Sequence, residues 1–180
     1  IIIKMIEISC QDSFIKENFI KLLHQKNFIL SNINNNKYFF KIQIVIKENS
    51  LELIIDKDKA TFNLPKRFNE IFEKTYHILS SKVVHLEKLQ YFPFKQSIIK
   101  KDKNIFLSEI QNNIMCNLLL NSEEGMRKID LIQIIWPNDK DIFYNKLDTH
   151  LTNLKNYLKS ELDYNLKFSS KSGLIKLGFN

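Results

Sequence analysis

Leu147, Leu151, Leu154 and Leu158 recur at i, i+4, i+7 and i+11, a spacing that predicts an amphipathic helix over Lys146–Leu158. Its other side carries Lys146, Thr149, His150, Thr152, Asn153 and Lys155. Such a face can donate hydrogen bonds to phosphates and base edges, or stay an ordinary solvated surface. The stretch ahead of it, Lys128–Ile135, turns Ile129, Ile132 and Ile135 inward and closes on Trp136-Pro137. Asn138–Phe143 reads as a polar connection. After the helix, Leu166–Phe168 and Leu174–Leu177 pair across a tip predicted at Ser169-Ser170-Lys171-Ser172-Gly173.

Further upstream, Ser108 opens a helix as a capping box with Gln111. Ile110, Ile114, Met115, Leu118 and Leu119 make its buried face, and Glu123-Glu124-Gly125 ends it. Three short strands precede it, at Tyr91–Phe94, Ser97–Ile99 and Asn104–Leu107, with Lys100–Lys103 turning between the last two. Helix, tight connection, second helix and β-ribbon is the order of a winged helix-turn-helix.

The first half has a different pattern. Ile1–Ile8 predicts a buried strand, and Asp12 or Ser13 caps a helix with Ile15, Phe19, Leu22 and Leu23 inside. Asn27–Leu30 reads as a short strand and Ser31–Lys37 as an Asn-rich turn. Tyr38–Ile46 and Leu51–Ile55 follow as strands, and Ala60–Phe62 as a third. Pro65 suits the first turn of a helix with Phe68, Ile71, Phe72, Tyr76 and Leu79 at helical spacing. The boundaries predicted are 1–82 for this domain, 83–90 for a linker and 91–180 for the second domain. The class is α+β: a small α/β domain followed by short strands, three helices and a C-terminal hairpin.

Composition narrows the function. The hydrophobic share of 44% is that of a globular protein, and no apolar run approaches a membrane span. No secretion signal or anchor is read, which gives a cytoplasmic expectation with no membrane partner. The chain opens on Ile1, which leaves its start open. Cys10 and Cys116 form neither a metal spacing nor a disulfide framework, as suits a reducing compartment. The formal net charge of +7, nearly all from lysine, is compatible with a polyanionic partner. No Ser/His/Asp set, Gly-rich phosphate loop or zinc spacing is present, so no enzyme is predicted and no cofactor or metal is required. His24, His77 and His85 have no partners at ligand spacing.

From Tyr91 onward the chain resembles the effector domain of winged-helix response regulators of the OmpR/PhoB type. Leu107-Ser108-Glu109 stands where that family has L-T-E, and Ile134-Ile135-Trp136 where its second helix ends in A-V-W or E-V-W. Leu147-Asp148-Thr149-His150-Leu151, then Leu154-Lys155, is similar to V-D-V-H-I or L-E-T-H-I followed by L-R. The likeness covers about ninety residues in the family's order. Asn153 stands where Arg is frequent, the hairpin has Lys171 and one glycine, Gly173, in place of Arg and two glycines, and Leu174 replaces an aromatic. The first half resembles the receiver domain of the same proteins, degenerate and shortened. Leu64-Pro65-Lys66-Arg67-Phe68 is similar to the receiver's L-x-K-P-F, but Ser9-Cys10 stands where receivers hold Mg²⁺ with two acidic residues.

The resemblance implies a bacterial, sequence-specific regulator of transcription that binds double-stranded DNA and acts as a dimer through its first domain. RNA polymerase is a further partner it implies. The helix Lys146–Leu158 would enter the major groove and the hairpin 166–177 would touch the flanking backbone. The DNA-binding candidates are Trp136, Lys146, Thr149, His150, Thr152, Asn153, Lys155, Ser170 and Lys171. Trp136 reads as a packing residue whose edge reaches the DNA backbone rather than as a pure ligand; for His150 a helix-surface role competes with the phosphate contact, and for Lys171 a solvated turn does. Asp56 is the one plausible phosphoacceptor of a two-component system, and with no metal pair beside it phosphotransfer is not expected. The rival readings are an adaptor whose winged helix no longer binds DNA, and a regulator phosphorylated at Asp56 after all.

Overall fold

In the computed structural model, residues 6–25, 39–138, 144–171 and 173–178 are described. The predicted strand at 27–30, the turn at 31–37, the start of the first strand and most of the 138–143 connection lie outside them. The chain divides into two compact units, residues 2–82 and 83–180.

The first unit orders its elements β1 (Ile6–Cys10), α1 (Ser13–Gln25), β2 (Phe40–Lys47), β3 (Ser50–Ile55), β4 (Asp58–Asn63) and α2 (Phe68–Ser80). The strands form one sheet in the order β1-β2-β3-β4, with β1 parallel to β2 and the other pairs antiparallel. Alternation sets its two faces. Phe40, Ile42 and Ile44 point in with their β3 partners Leu53 and Ile55, while Lys41 and Gln43 point out. Phe19 and Leu23 of α1 and Ile71, Phe72 and Leu79 of α2 complete the core. Phe19 meets Phe68 edge to face at 4.9 Å. Asp12 caps α1 by accepting from the Ile15 backbone N–H at 2.9 Å.

Three expectations are corrected in this unit. A receiver-type sheet is parallel, with helices between its strands, whereas β2, β3 and β4 here follow one another through two-residue turns. Such turns enforce antiparallel pairing, and no crossover helix intervenes. Pro65 does not open a helix: it follows Leu64 through a cis peptide, and α2 starts at Phe68 after the extended Arg67. Thr75, not Tyr76, takes the inward position on α2; its hydroxyl donates to the Ile71 carbonyl at 2.8 Å.

The second unit begins with an antiparallel sheet of β5 (Val84–Leu86), β6 (Leu89–Phe92), β7 (Ser97–Lys100) and β8 (Lys103–Phe106). The predicted linker 83–90 is therefore folded, because Val84 and His85 pair with Tyr91 and Gln90. Next come α3 (Glu109–Leu120), β9 (Met126–Arg127), α4 (Lys128–Ile135), α5 (Tyr144–Leu162), β10 (Lys167–Lys171) and β11 (Leu174–Gly178). The last sheet is ordered β10-β11-β9. The helices α3, α4 and α5 pack on one another, and α3 also meets β11.

Local chemistry explains these elements. The Ser108 capping box forms as predicted: the Gln111 N–H donates to the Ser108 hydroxyl at 3.2 Å, and the Ser108 N–H to the Gln111 side chain at 2.9 Å. On α4 the inward residues are Leu131 and Ile132, with Ile129 and Ile135 only half-buried. The α5 leucine stripe runs on to Leu162, one turn past the predicted end. Each of its fully buried leucines contributes on the order of 1.5–3 kcal/mol. Gly125 has φ +81°, and a Cβ there would lie 2.8 Å from Lys176 Cγ, so a side chain is excluded on both counts.

Candidate nucleic-acid interface

Successive residues of an α-helix lie about 100° apart, so the buried leucines of α5 fix where every other side chain points. Opposite the stripe, Thr149, Thr152, Asn153 and Asn156 form an exposed ridge. The Thr149 hydroxyl donates to the Asn145 carbonyl at 2.8 Å and that of Thr152 to the Asp148 carbonyl at 2.9 Å. Each hydroxyl keeps its acceptor lone pairs turned to solvent.

Lys146 and His150 lie on one flank of this ridge, beside Trp136 at the end of α4. The Lys146 ammonium sits 4.3 Å from the Trp136 ring centroid, and the Trp136 and His150 rings are 5.3 Å apart at 41°. Trp136 is thus a half-buried packing residue that shapes the surface, and it brings Lys146 and His150 together.

Asp148 and Lys155 lie on the other flank, toward the hairpin. Thr152 and Lys155 line a groove of about 320 Å³ with Lys128, Asp148, Phe168 and Ser170. Lys128 donates to Asp148 at 2.6 Å. Glu161, the other acid of α5, is likewise held by a lysine from outside the helix, Lys103, at 2.9 Å. The acids of α5 are therefore answered from neighbouring elements, and Lys155 is exposed with no ion pair among the described residues. The last carbonyls of α5, those of Leu162 and of Asp163 beyond it, accept from Lys100 at 2.7 and 2.8 Å, a cation placed where the helix dipole favours one.

The hairpin differs from expectation. Ser169, Ser170 and Lys171 belong to β10 rather than to the tip, because Lys171 pairs directly with Leu174. Gly173, at φ +76°, supplies the left-handed position. Alternation then separates two of the candidates: Ser170 faces α5 with Phe168, whereas Lys171 faces the opposite side with Ser169.

No protein-family model matches the chain, and no curated protein matches it. Solved structures do resemble it. The DNA-binding domain of E. coli CadC is 16% identical with a TM-score of 0.48, over 56% of this chain and 95% of that one. The C-terminal domain of NsrR, a lantibiotic response regulator of nisin resistance, is 22% identical with a TM-score of 0.42, over 53% and 96%. A streptococcal redox sensor described as evolved from two-component response regulators is 14% identical with a TM-score of 0.42, over 66% and 57%.

Sequence reasoning missed two residues of this surface. Asn156 is four residues from Thr152 and seven from Thr149, so the same periodicity places it on the ridge. Lys128 carries no local signal, since only the packing of α4 on α5 brings it to Asp148. Asp56 lies in the first unit, in the β3–β4 turn at φ +54°. Its carboxylate accepts from the Lys41 N–H at 3.2 Å and pairs with Lys82 at 3.2 Å. Among the described residues no cluster of His, Cys, Asp or Glu could hold a metal ion, and no helix is long and apolar enough to cross a membrane.

Proposed function

We propose that the chain is a sequence-specific, double-stranded-DNA-binding regulator of transcription, with the second unit, residues 83–180, forming a winged-helix effector domain of the OmpR/PhoB type. The observation that carries this reading is the exposed ridge of Thr149, Thr152, Asn153 and Asn156, flanked by Lys146 with His150 on one side and Lys155 with Lys128 on the other. Short donor–acceptor groups at the centre suit base edges, Asn favouring adenine, and lysines along the flanks suit phosphates. α5 would lie in the major groove and the β10–β11 hairpin against the flanking backbone. Ser170 and Lys171 would meet that backbone from opposite sides of the hairpin.

Regulation by phosphate is not part of this reading. Asp56 sits in an antiparallel hairpin turn with its carboxylate committed to Lys41 and Lys82. The first unit is instead assigned to homodimerisation. The outer face of its sheet is a mesh of ion pairs, Lys41 with Glu7 and both Lys47 and Lys59 with Glu52, while Phe14 and Tyr76 stand exposed on its helices. RNA polymerase, and a place in the bacterial cytoplasm, follow from the same family reading.

The test is selection from random genomic fragments followed by competition. The wild type should enrich a subset of fragments, and Thr149→Ala/Asn153→Ala should keep non-specific affinity while losing the enrichment. Phe106, 65% exposed on the edge strand β8, supports a second reading as a protein-interaction adaptor. On that reading no fragment is enriched, and neutralising Lys146, Lys155 and Lys171 leaves partner binding intact.

A further inference from the structure

The groove between α5 and the hairpin has an apolar floor. Leu151 is 6% exposed and Ile175 1%, and the half-buried Phe168 lines the groove with them. Leu151 belongs to the leucine stripe that packs inward from α5, and Ile175 sits on the hairpin face that Ser170 shares. The groove therefore reaches down to the core between two elements. Its volume of about 320 Å³ lies at the lower end of the roughly 300–1,000 Å³ usual for small-molecule clefts.

Its rim is polar and charged. Asp148, Thr152 and Lys155 recur at i, i+4 and i+7 along the α5 side. Lys128 answers Asp148 at 2.6 Å, and the Thr152 hydroxyl is turned to the Asp148 carbonyl. Lys155 is exposed with no ion pair among the described residues, and the exposed Ser170 hydroxyl can donate from the hairpin side. Two ammonium groups against one carboxylate leave the groove with one net positive charge.

A phosphate group meets such a rim but has no apolar surface to lay on the floor. A ligand that matches both carries one negative charge on a flat apolar body. We propose that the groove is a binding site for a small aromatic carboxylate, its ring against Phe168, Leu151 and Ile175 and its carboxylate at Lys155 and Ser170, and that this ligand competes with DNA. The ring takes apolar surface on both sides out of water, and the carboxylate gains a charge-assisted hydrogen bond from the lysine. Lys155 and Ser170 are also DNA-binding candidates, so the groove cannot hold ligand and duplex together, and each lowers the apparent affinity for the other. The competition rests on the DNA-binding reading of α5, whereas the binding of the carboxylate does not.

The probe is benzoate, compared with benzyl alcohol, which has the ring without the charge, and acetate, which has the charge without the ring. Each is titrated into the full chain and followed by methyl NMR. Benzoate should shift the Ile175 and Leu151 methyl signals through its ring current and saturate, with the other two binding at least about tenfold more weakly. Lys155→Gln should weaken benzoate about tenfold and Lys155→Arg should restore most of the loss, with thermal melts checking that both variants fold. At ten times its dissociation constant, benzoate should raise the apparent dissociation constant for the selected duplex about tenfold relative to acetate at the same concentration. Equal binding of acetate or benzyl alcohol, or benzoate shifts that miss these methyls, overturns the site and leaves the α5 reading standing. Saturable shifts at these methyls with unchanged duplex affinity overturn the competition, because a filled groove then leaves the α5 surface open to DNA. If the duplex is not bound even without benzoate, the DNA-binding reading fails and the competition with it, and the methyl shifts alone decide the site.

Discussion

Lys146 holds its ammonium 4.3 Å from the ring centroid of Trp136, and this contact ties the first turn of α5 to the end of α4. Trp136 is the sole tryptophan of the chain, so its fluorescence reports on that junction alone. Lys146→Gln removes the charge over the ring and should shift the emission without lowering the melting temperature by more than a degree or two. Trp136→Leu should keep the fold but lower DNA affinity about tenfold, since Lys146 and His150 lose their shared support. An unchanged affinity in Trp136→Leu would mean that the stack plays no part in binding.

Cys116 is buried, and burial holds its thiol neutral. Burial pushes its thiol up to about 12, while its contact with the Tyr91 hydroxyl at 2.9 Å acts in the opposite direction. Burial raises Tyr91 as well, and its hydroxyl lies 2.6 Å from Asn112 Oδ1. The unfolded thiol ionises near 9.0, well before the folded one. Stability from this group is therefore complete below about pH 9 and is lost as pH climbs toward 12. Denaturant melts at pH 8 and pH 11 should show a loss that Cys116→Ala reduces. Native protein should react with thiol reagents at Cys10, which is only half-buried, and not at Cys116.

Asp56 and Lys82 give a separate prediction in the first unit. The Lys82 ammonium, on a side chain 12% exposed, donates to Asp58 at 2.8 Å and to the Ile55 carbonyl at 3.0 Å, and it pairs with Asp56. Burial opposes its charge, but the two carboxylates outweigh burial and raise its pKa. Lys82→Met should destabilise the unit by about 1–2 kcal/mol, read from denaturant midpoints. Incubation with acetyl phosphate and Mg²⁺ should add no phosphate, and Asp56→Asn should bind DNA as the wild type does. Phosphate incorporation at Asp56 would revive the regulated reading.

How much of this was legible in the sequence follows from how local each signal is. The Ser108 capping box and the α5 leucine stripe depend on residues within a few positions of one another, and both predicted their helices closely. The β3–β4 hairpin was visible as apolar runs, but its antiparallel pairing follows from turn lengths, which the receiver resemblance obscured. The position of Lys171 in a strand rather than at the tip depends on register. A one-residue change in register moves a side chain to the other face, so composition alone did not separate Ser170 from Lys171. Lys128 meets Asp148 only through the packing of two helices, twenty residues apart in sequence.

The most direct test of the account is a salt titration of DNA affinity for wild type against His150→Ala/Lys155→Ala/Lys171→Ala on one selected fragment. Wild type should bind at nanomolar to micromolar concentration at low salt, and the log–log slope should flatten by roughly one unit for each phosphate contact removed. Identical slopes for the two proteins, or no binding by the wild type at low salt, would contradict it.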